Sequence, residues 1–158
     1  MKITKPVLAF TLLIALTTLQ AFGQLEKIEI YKGDKFTLEY PSVWTNTNEN
    51  GILNFFPRGN YGAVTFSSHS NIDFPLEKTK DYILDMYERK DKTENIKMTI
   101  NGDLTEFHYE FVDQNVKWVT RAFRKGTDFY LLTINCDLDK WDANRTVFLK
   151  VANSLKLN

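Results

Sequence analysis

The stretch from Asp103 to Cys136 opens on a segment, Glu106–Phe111, in which polar and apolar residues alternate with a period of two. Phe107, Tyr109 and Phe111 share one face of an extended segment, and Glu106, His108 and Glu110 share the other. Asp113–Gln114–Asn115 and Lys125–Gly126–Thr127–Asp128 are turn sequences, so the stretch predicts three consecutive antiparallel strands. A two-residue turn at Gln114–Asn115 sets Phe111 opposite Trp118, Phe107 opposite Ala122 and His108 opposite Arg121. In that register the apolar faces coincide. The next two segments, Val116–Arg124 and Phe129–Cys136, are apolar on both faces. Trp118 and Ala122 oppose Val119 and Phe123, and Tyr130, Leu132 and Ile134 oppose Phe129 and Leu131. Such strands belong inside a sheet covered on both sides. The expected class is α+β: an antiparallel sheet flanked by helices on both faces.

The flanking chain supplies the expected cover. Lys27–Tyr31 and Lys35–Tyr40 predict a hairpin around Lys32–Gly33–Asp34, ended by Pro41, which has no amide hydrogen to donate. Trp44 folds back onto the sheet in this reading, and Thr45–Gly51 is a polar loop. Ile52–Phe56 and Ala63–Ser67 predict another strand pair, followed by a loop from Ser67 to Asp73. Pro75–Lys92 predicts a helix with Leu76, Ile83, Met86 and Tyr87 inward. Asn95–Asn101 predicts a short strand, turned at Asn101–Gly102 into the central stretch. A closing helix over roughly Lys140–Leu155 carries Trp141, Phe148, Val151, Ala152 and Leu155 at helical spacing.

The first 23 residues read as a secretory leader. Lys2 and Lys5 precede an apolar run from Val7 to Leu16, and Ala21 and Gly23 offer small residues at a cleavage site. The run is about half of the roughly 20 residues a spanning helix needs. The expected product starts at Gln24 and is exported, periplasmic or extracellular, without membrane insertion. Residues 24–158 suit one domain. Loss of the leader leaves 18 basic against 20 acidic residues, a net charge of −2. That balance gives no electrostatic footprint for nucleic acid. The single cysteine, Cys136, allows no intrachain disulfide and closes an apolar strand, as a small buried hydrophobe does.

Candidate chemistry is sparse. Glu106, His108 and Glu110 lie on one strand face, about 7 Å between successive members. They are donors suited to Zn²⁺ or Mn²⁺. The solvated face of a strand has the same composition, and Arg121 opposite would repel a cation. His69 stands between Ser68 and Ser70, a setting in which a histidine can activate a hydroxyl, but chain neighbours rarely give the needed orientation and no third group is evident. Asp137, Asp139 and Asp142 fit capping and the helix dipole better than a calcium loop, which needs a glycine and a distal bidentate glutamate. No nucleophile elbow, zinc-protease, dithiol, phosphate-loop or dinucleotide motif occurs.

FTLEYPSVW at 36–44 resembles the opening of the PsbP-like domain, where a strand runs into a Pro and then a Trp. TVFLKVANSLKL at 146–157 is similar to that family's final helix with its apolar–Ser–apolar ending. The resemblance covers nearly the whole mature chain and implies an α/β/α sandwich. It implies no single function. The family includes an extrinsic photosystem II subunit, a nuclear relative that binds the Ran GTPase, and many exported bacterial proteins. The expectation is an exported, non-catalytic binding or assembly protein with an envelope or secreted protein partner and no cofactor. Its contact surface would be the loops 45–51, 58–62 and 69–75, with Asn48, Tyr61, His69 and Phe74. The alternatives are a metal-dependent or hydrolytic enzyme using His69 or His108, and a small-ligand carrier.

Overall fold

The computed structural model describes residues 27–88 and 95–158. The leader and the last residues of the expected first helix lie outside that range. In chain order the elements are β1 (Ile28–Lys32), β2 (Phe36–Pro41), β3 (Thr45–Glu49), β4 (Ile52–Phe56) and β5 (Gly62–His69). A 3₁₀ turn (Leu76–Lys78) then leads into α1 (Thr79–Met86). After it come β6 (Lys97–Asn101), β7 (Leu104–Asp113), β8 (Val116–Lys125), β9 (Asp128–Asp137), α2 (Leu138–Asn153) and β10 (Lys156–Leu157).

A seven-stranded antiparallel sheet runs β3-β4-β5-β9-β8-β7-β6, and a three-stranded one runs β1-β2-β10. The expected register of β7 and β8 is present: Phe111 faces Trp118, Phe107 faces Ala122 and His108 faces Arg121. Gln114 and Asn115 both have positive φ, 47° and 61°. That is the type I′ geometry matching the twist of paired strands.

Two apolar clusters cover the large sheet. On one face α2 and the small sheet bury Phe55, Phe66, Val119, Phe123 and Leu132 beneath Phe36, Leu38, Tyr40 and Phe148. On the other, Ile83 and Leu84 of α1, with Ile96, pack on Phe107, Tyr109, Ala122 and Phe129. The fold is α+β with a covered antiparallel sheet, as the two-faced strands require. Tyr87 ties the end of α1 down, its hydroxyl 2.7 Å from that of Thr120 and 2.9 Å from that of Thr133.

The first hairpin supplies cover: with β10 it forms a second sheet that lies on the main one. Three local expectations change. Thr45–Glu49 is a strand rather than a loop, because Asn50 and Gly51, with φ of 54° and 82°, make a tight turn into β4. His69 ends β5 instead of lying in a loop. Within the described residues the first helix is short, and its inward side is Thr79, Ile83 and Leu84, while Leu76 and Met86 are exposed. The 3₁₀ turn before it advances fewer residues per turn, which rotates the apolar stripe away from a single α-helical phase.

The two ends of the described chain are clasped. Lys156 pairs with Thr37 and Leu157 with Phe36. The Ser154 hydroxyl accepts from the Glu39 amide at 2.8 Å and donates to the Val151 carbonyl at 2.7 Å. Replacing Ser154 by alanine strands a partly buried amide of β2. The expected loss is about 1–2 kcal/mol in urea unfolding, with the slope unchanged. A change below a few tenths would mean that the clasp contributes little.

Candidate functional site

The structure places the polar side chains in three groups. The first is the stripe on β7. Arg121, facing it from β8, donates from Nε to Glu106 at 2.7 Å. Its Nη1 also donates to the Ala152 carbonyl at 3.2 Å and to Asn153 Oδ1 at 3.1 Å. A guanidinium at the carboxyl end of α2 is favoured by the helix dipole. His108 lies 2.7 Å from Glu110, whose other oxygen meets Lys117 at 2.8 Å. Burial works against the Glu110 charge, but hydrogen bonds from Lys117 and His108 outweigh it and hold the carboxyl below its usual range. Thus Glu106, His108 and Glu110 share a face, but each carboxylate is paired with a cation of β8. Among the described residues no group of three His, Cys, Asp or Glu side chains is arranged to hold a metal ion.

The second group lies at the sheet end where β5 stops. His69 Nε2 is 3.3 Å from the hydroxyl of Ser67, two residues back on the same face. No carboxylate reaches this ring among the described residues, and its other neighbour is Phe129, 6.1 Å between centroids. Lys35 bridges Ser70 at 3.0 Å and Asp128 at 3.3 Å. The Ser70 hydrogen bond, with Lys35 beside it, holds the Asp128 carboxyl below its ordinary range. A cleft of 420 Å³ opens here between the β1–β2 turn and β3–β5, lined in part by Lys35, Asn48, Gly51 and Ser68. Phe74 is half-buried, its ring against Tyr82 and under the Arg124 guanidinium. Tyr61 lies beyond the opposite end of β5, about 27 Å from His69 at the usual rise per residue. Its hydroxyl donates to Asn144 at 2.9 Å. The four expected contact residues therefore do not form one patch.

The third group was missed by sequence reasoning. On the α1 side of the large sheet, Thr47, Asn54, Thr65, Thr133 and Thr120 stand in one register row across five strands. The buried members of the α1 cluster on the sheet lie on β7, β8 and β9; on the β3–β5 half of that side Ala63 and Ser67 are buried, while Asn54 and Thr65 are half-buried and Thr47 is exposed. A cleft of 610 Å³ lies over it at the end where β5 begins.

No family sequence model matches this chain. No curated protein matches it by sequence. The solution structure of cyanobacterial PsbP (CyanoP) from Synechocystis sp. PCC 6803 superposes with a TM-score of 0.60. Identity is 14%, over 86% of this chain and 96% of that one. The fold is PsbP-like. A crystal structure from Bacteroides thetaiotaomicron matches with a TM-score of 0.49 and 14% identity, over 84% of this chain and 48% of that one.

Within the PsbP-like frame the two stretches that carry the resemblance touch each other, through the Glu39–Ser154 pair and the β2–β10 ladder. Arg124 is a further buried group that sequence reasoning passed over. Its Nε donates to the Gly126 carbonyl and its Nη2 to that of Phe74, both at 2.9 Å, so it fixes the 70–75 connection to the β8–β9 turn. The aspartates before α2 do not cap by side chain: Asp137 sits at the N-cap without such a bond, and Asp139 pairs with Lys140 at 2.8 Å. The helix dipole favours both carboxylates, and Lys140 adds to it at Asp139. No helix among the described residues is long and apolar enough to cross a membrane.

Cys136 is fully buried, and burial, with Asp137 and Asp139 adding to it, pushes its thiol up to about 11. The thiolate is the reactive form. Labelling by a disulfide reagent at about pH 8 should therefore be negligible in the folded protein and complete within seconds in denaturant; equal rates in both states would contradict this burial.

Glu110 gives a signed pH dependence. Its folded pKa lies below the unfolded value, so its contribution is present at neutral pH. It is lost as pH falls from the usual glutamate value of about 4.3 through the folded one. The side chain is 42% exposed, so the pair contributes under about 1 kcal/mol. Lys117→Met should be less stable than wild type at about pH 7, and the gap should close by about pH 3 in urea titrations. A gap independent of pH would assign the loss to packing.

Proposed function

We propose that this PsbP-like chain is an exported, non-catalytic binding or assembly protein. The carrying observation is that the carboxylates of the β7 stripe and of the sheet end beside His69 pair off instead of converging. Glu106 is matched by Arg121, Glu110 by Lys117 and His108, and Asp128 by Lys35. A general base needs a proton to take and an orienting partner, and a nucleophile needs an activated neighbour. The fold likeness to cyanobacterial PsbP agrees with a binding role, though fold alone does not fix function. Export rests on the leader character of residues 1–23.

The contact surface in this reading is the sheet end that carries Asn48, Ser68 and His69, where Asn48 and Ser68 line the cleft together with Lys32, Asp34 and Lys35. Loop ends on a rigid sheet suit partner recognition, because the scaffold fixes them at little entropic cost. The partner is an envelope or secreted protein.

The hydrolytic alternative keeps one favourable feature, the 3.3 Å contact between Ser67 and His69. The carrier alternative needs space between the layers, where Phe36, Phe55, Phe66 and Phe148 now pack. A pull-down from the envelope fraction separates the readings. Wild type and an Arg58→Glu control at the far sheet end should recover the same partner, and an Asn48→Glu/His69→Glu double variant should lose it. Recovery of no reproducible partner, or equal recovery by all three, would refute the assignment. A hydrolase activity lost only in a His69→Ala/His108→Ala variant would favour the enzyme.

A further inference from the structure

The β3–β5 half of the α1 side of the sheet differs in chemistry from the other exposed stripe of the same sheet. The β7 stripe is built of charges, as a solvated strand face ordinarily is. The β3–β5 face bears Thr47, Asn54 and Thr65 in one row, with Thr45 and Phe56 beside them. Its cleft, lined also by Asn60 and Asn135, contains a single charged side chain, Asp137. The Asp137 carboxylate has neither an ion pair nor a cap bond among the described residues. Gly62, in the cleft floor, lies so close to β9 that a Cβ there would strike the Asn135 carbonyl. The two backbones are thus in close approach there, and Phe56, Tyr61 and Val116 also line the cleft.

We propose that this cleft is a binding site for a neutral oligosaccharide. The Thr65 hydroxyl donates to Asn54 Oδ1 at 2.8 Å, which orients the Asn54 amide with its NH₂ left to donate; the amides of Asn60 and Asn135 and the hydroxyls of Thr45 and Thr47 each donate and accept, as the hydroxyls of a sugar demand. Adjacent strands are about 4.8 Å apart, so vicinal hydroxyls can bridge neighbouring rows. Threonine is stiff at χ1, and little rotamer freedom is lost on binding. Phe56, half-buried at the rim, offers an apolar ring face to the C–H side of a pyranose. Asp137 accepts charge-assisted hydrogen bonds from hydroxyls and repels acidic glycans. The site lies at the opposite end of β5 from the protein-contact surface proposed above and does not depend on it.

The test is a two-dimensional NMR titration of the protein recovered after export, with cellotetraose, maltotetraose, laminaritetraose and chitotetraose as probes. At least one should give saturable shifts confined to Thr47, Asn54, Thr65, Asn60 and Asn135. Asp137→Asn should weaken that binding about tenfold, the loss of one charge-assisted hydrogen bond. Thr65→Lys should abolish it while the remaining spectrum stays folded, and Glu110→Gln on the opposite face should leave it unchanged. Absence of saturable shifts with all four probes would overturn the proposal. So would shifts centred on α2, binding that survives both cleft variants, or tighter binding of the acidic control polygalacturonate.

Discussion

Strand β9 lies between β5 and β8 near the middle of seven strands, and its side chains are apolar above and below the sheet. Phe129 is buried on one side, and Tyr130, Leu132, Ile134 and Cys136 on the other. Water must be kept from both surfaces at once, because each buried aromatic or branched side chain contributes about 1.5–3 kcal/mol. One helix cannot do this. The chain therefore closes α2 and the small sheet over one face and α1 over the other. The clasp between Ser154 and Glu39 matters because it joins the last covering element to the first. Without that joint, α2 and β2 would have to find the sheet independently.

The central hairpin was legible because two local signals agreed. Aromatic alternation set the face, and a turn of two residues set the register, so a one-residue slip would have exposed Phe107 and Tyr109. Strand β3 was not legible for the opposite reason. Every residue of Thr45–Glu49 is exposed, so no buried face imposes a hydrophobic period. The Asn50–Gly51 turn was the one available signal, and a strand with only polar residues on one flank of it reads as loop. The separate small sheet was equally hidden. Alternation in Phe36–Tyr40 says that one face is buried but not which strands it meets.

Site geometry divides along the same line. The shared face of Glu106, His108 and Glu110 followed from period two, and Arg121 was already expected nearby. What periodicity does not carry is the diagonal choice: Arg121 stands opposite His108 yet bonds Glu106 and the end of α2. That choice depends on where a helix from the far end of the chain comes to rest. The three expected contact loops do not meet in one patch for a topological reason. Residues 58–62 and 69–75 flank the same strand, so they must lie at opposite ends of it.

The two covering layers are offset, and the offset decides where function can reside. Apolar cover on the α2 side reaches β4, β5, β9 and β8 but leaves β7 beyond Leu104 to its charged residues. Cover on the α1 side reaches β7, β8 and β9 but leaves β3, β4 and β5. The open areas are thus diagonal to one another across the sheet. On the first, exposure is resolved by ion pairs that neutralise the surface and knit β7 to β8. On the second there are no charges to pair among the row residues: the Thr65 hydroxyl bonds Asn54 at 2.8 Å, Thr120 and Thr133 are buried under the Tyr87 hydroxyl, and Thr47 is exposed. A surface of the first kind completes its own bonds; a surface of the second kind keeps donors and acceptors to offer. The same offset that leaves the core strands fully covered therefore gives this chain one self-satisfied face and one with binding capacity to spare.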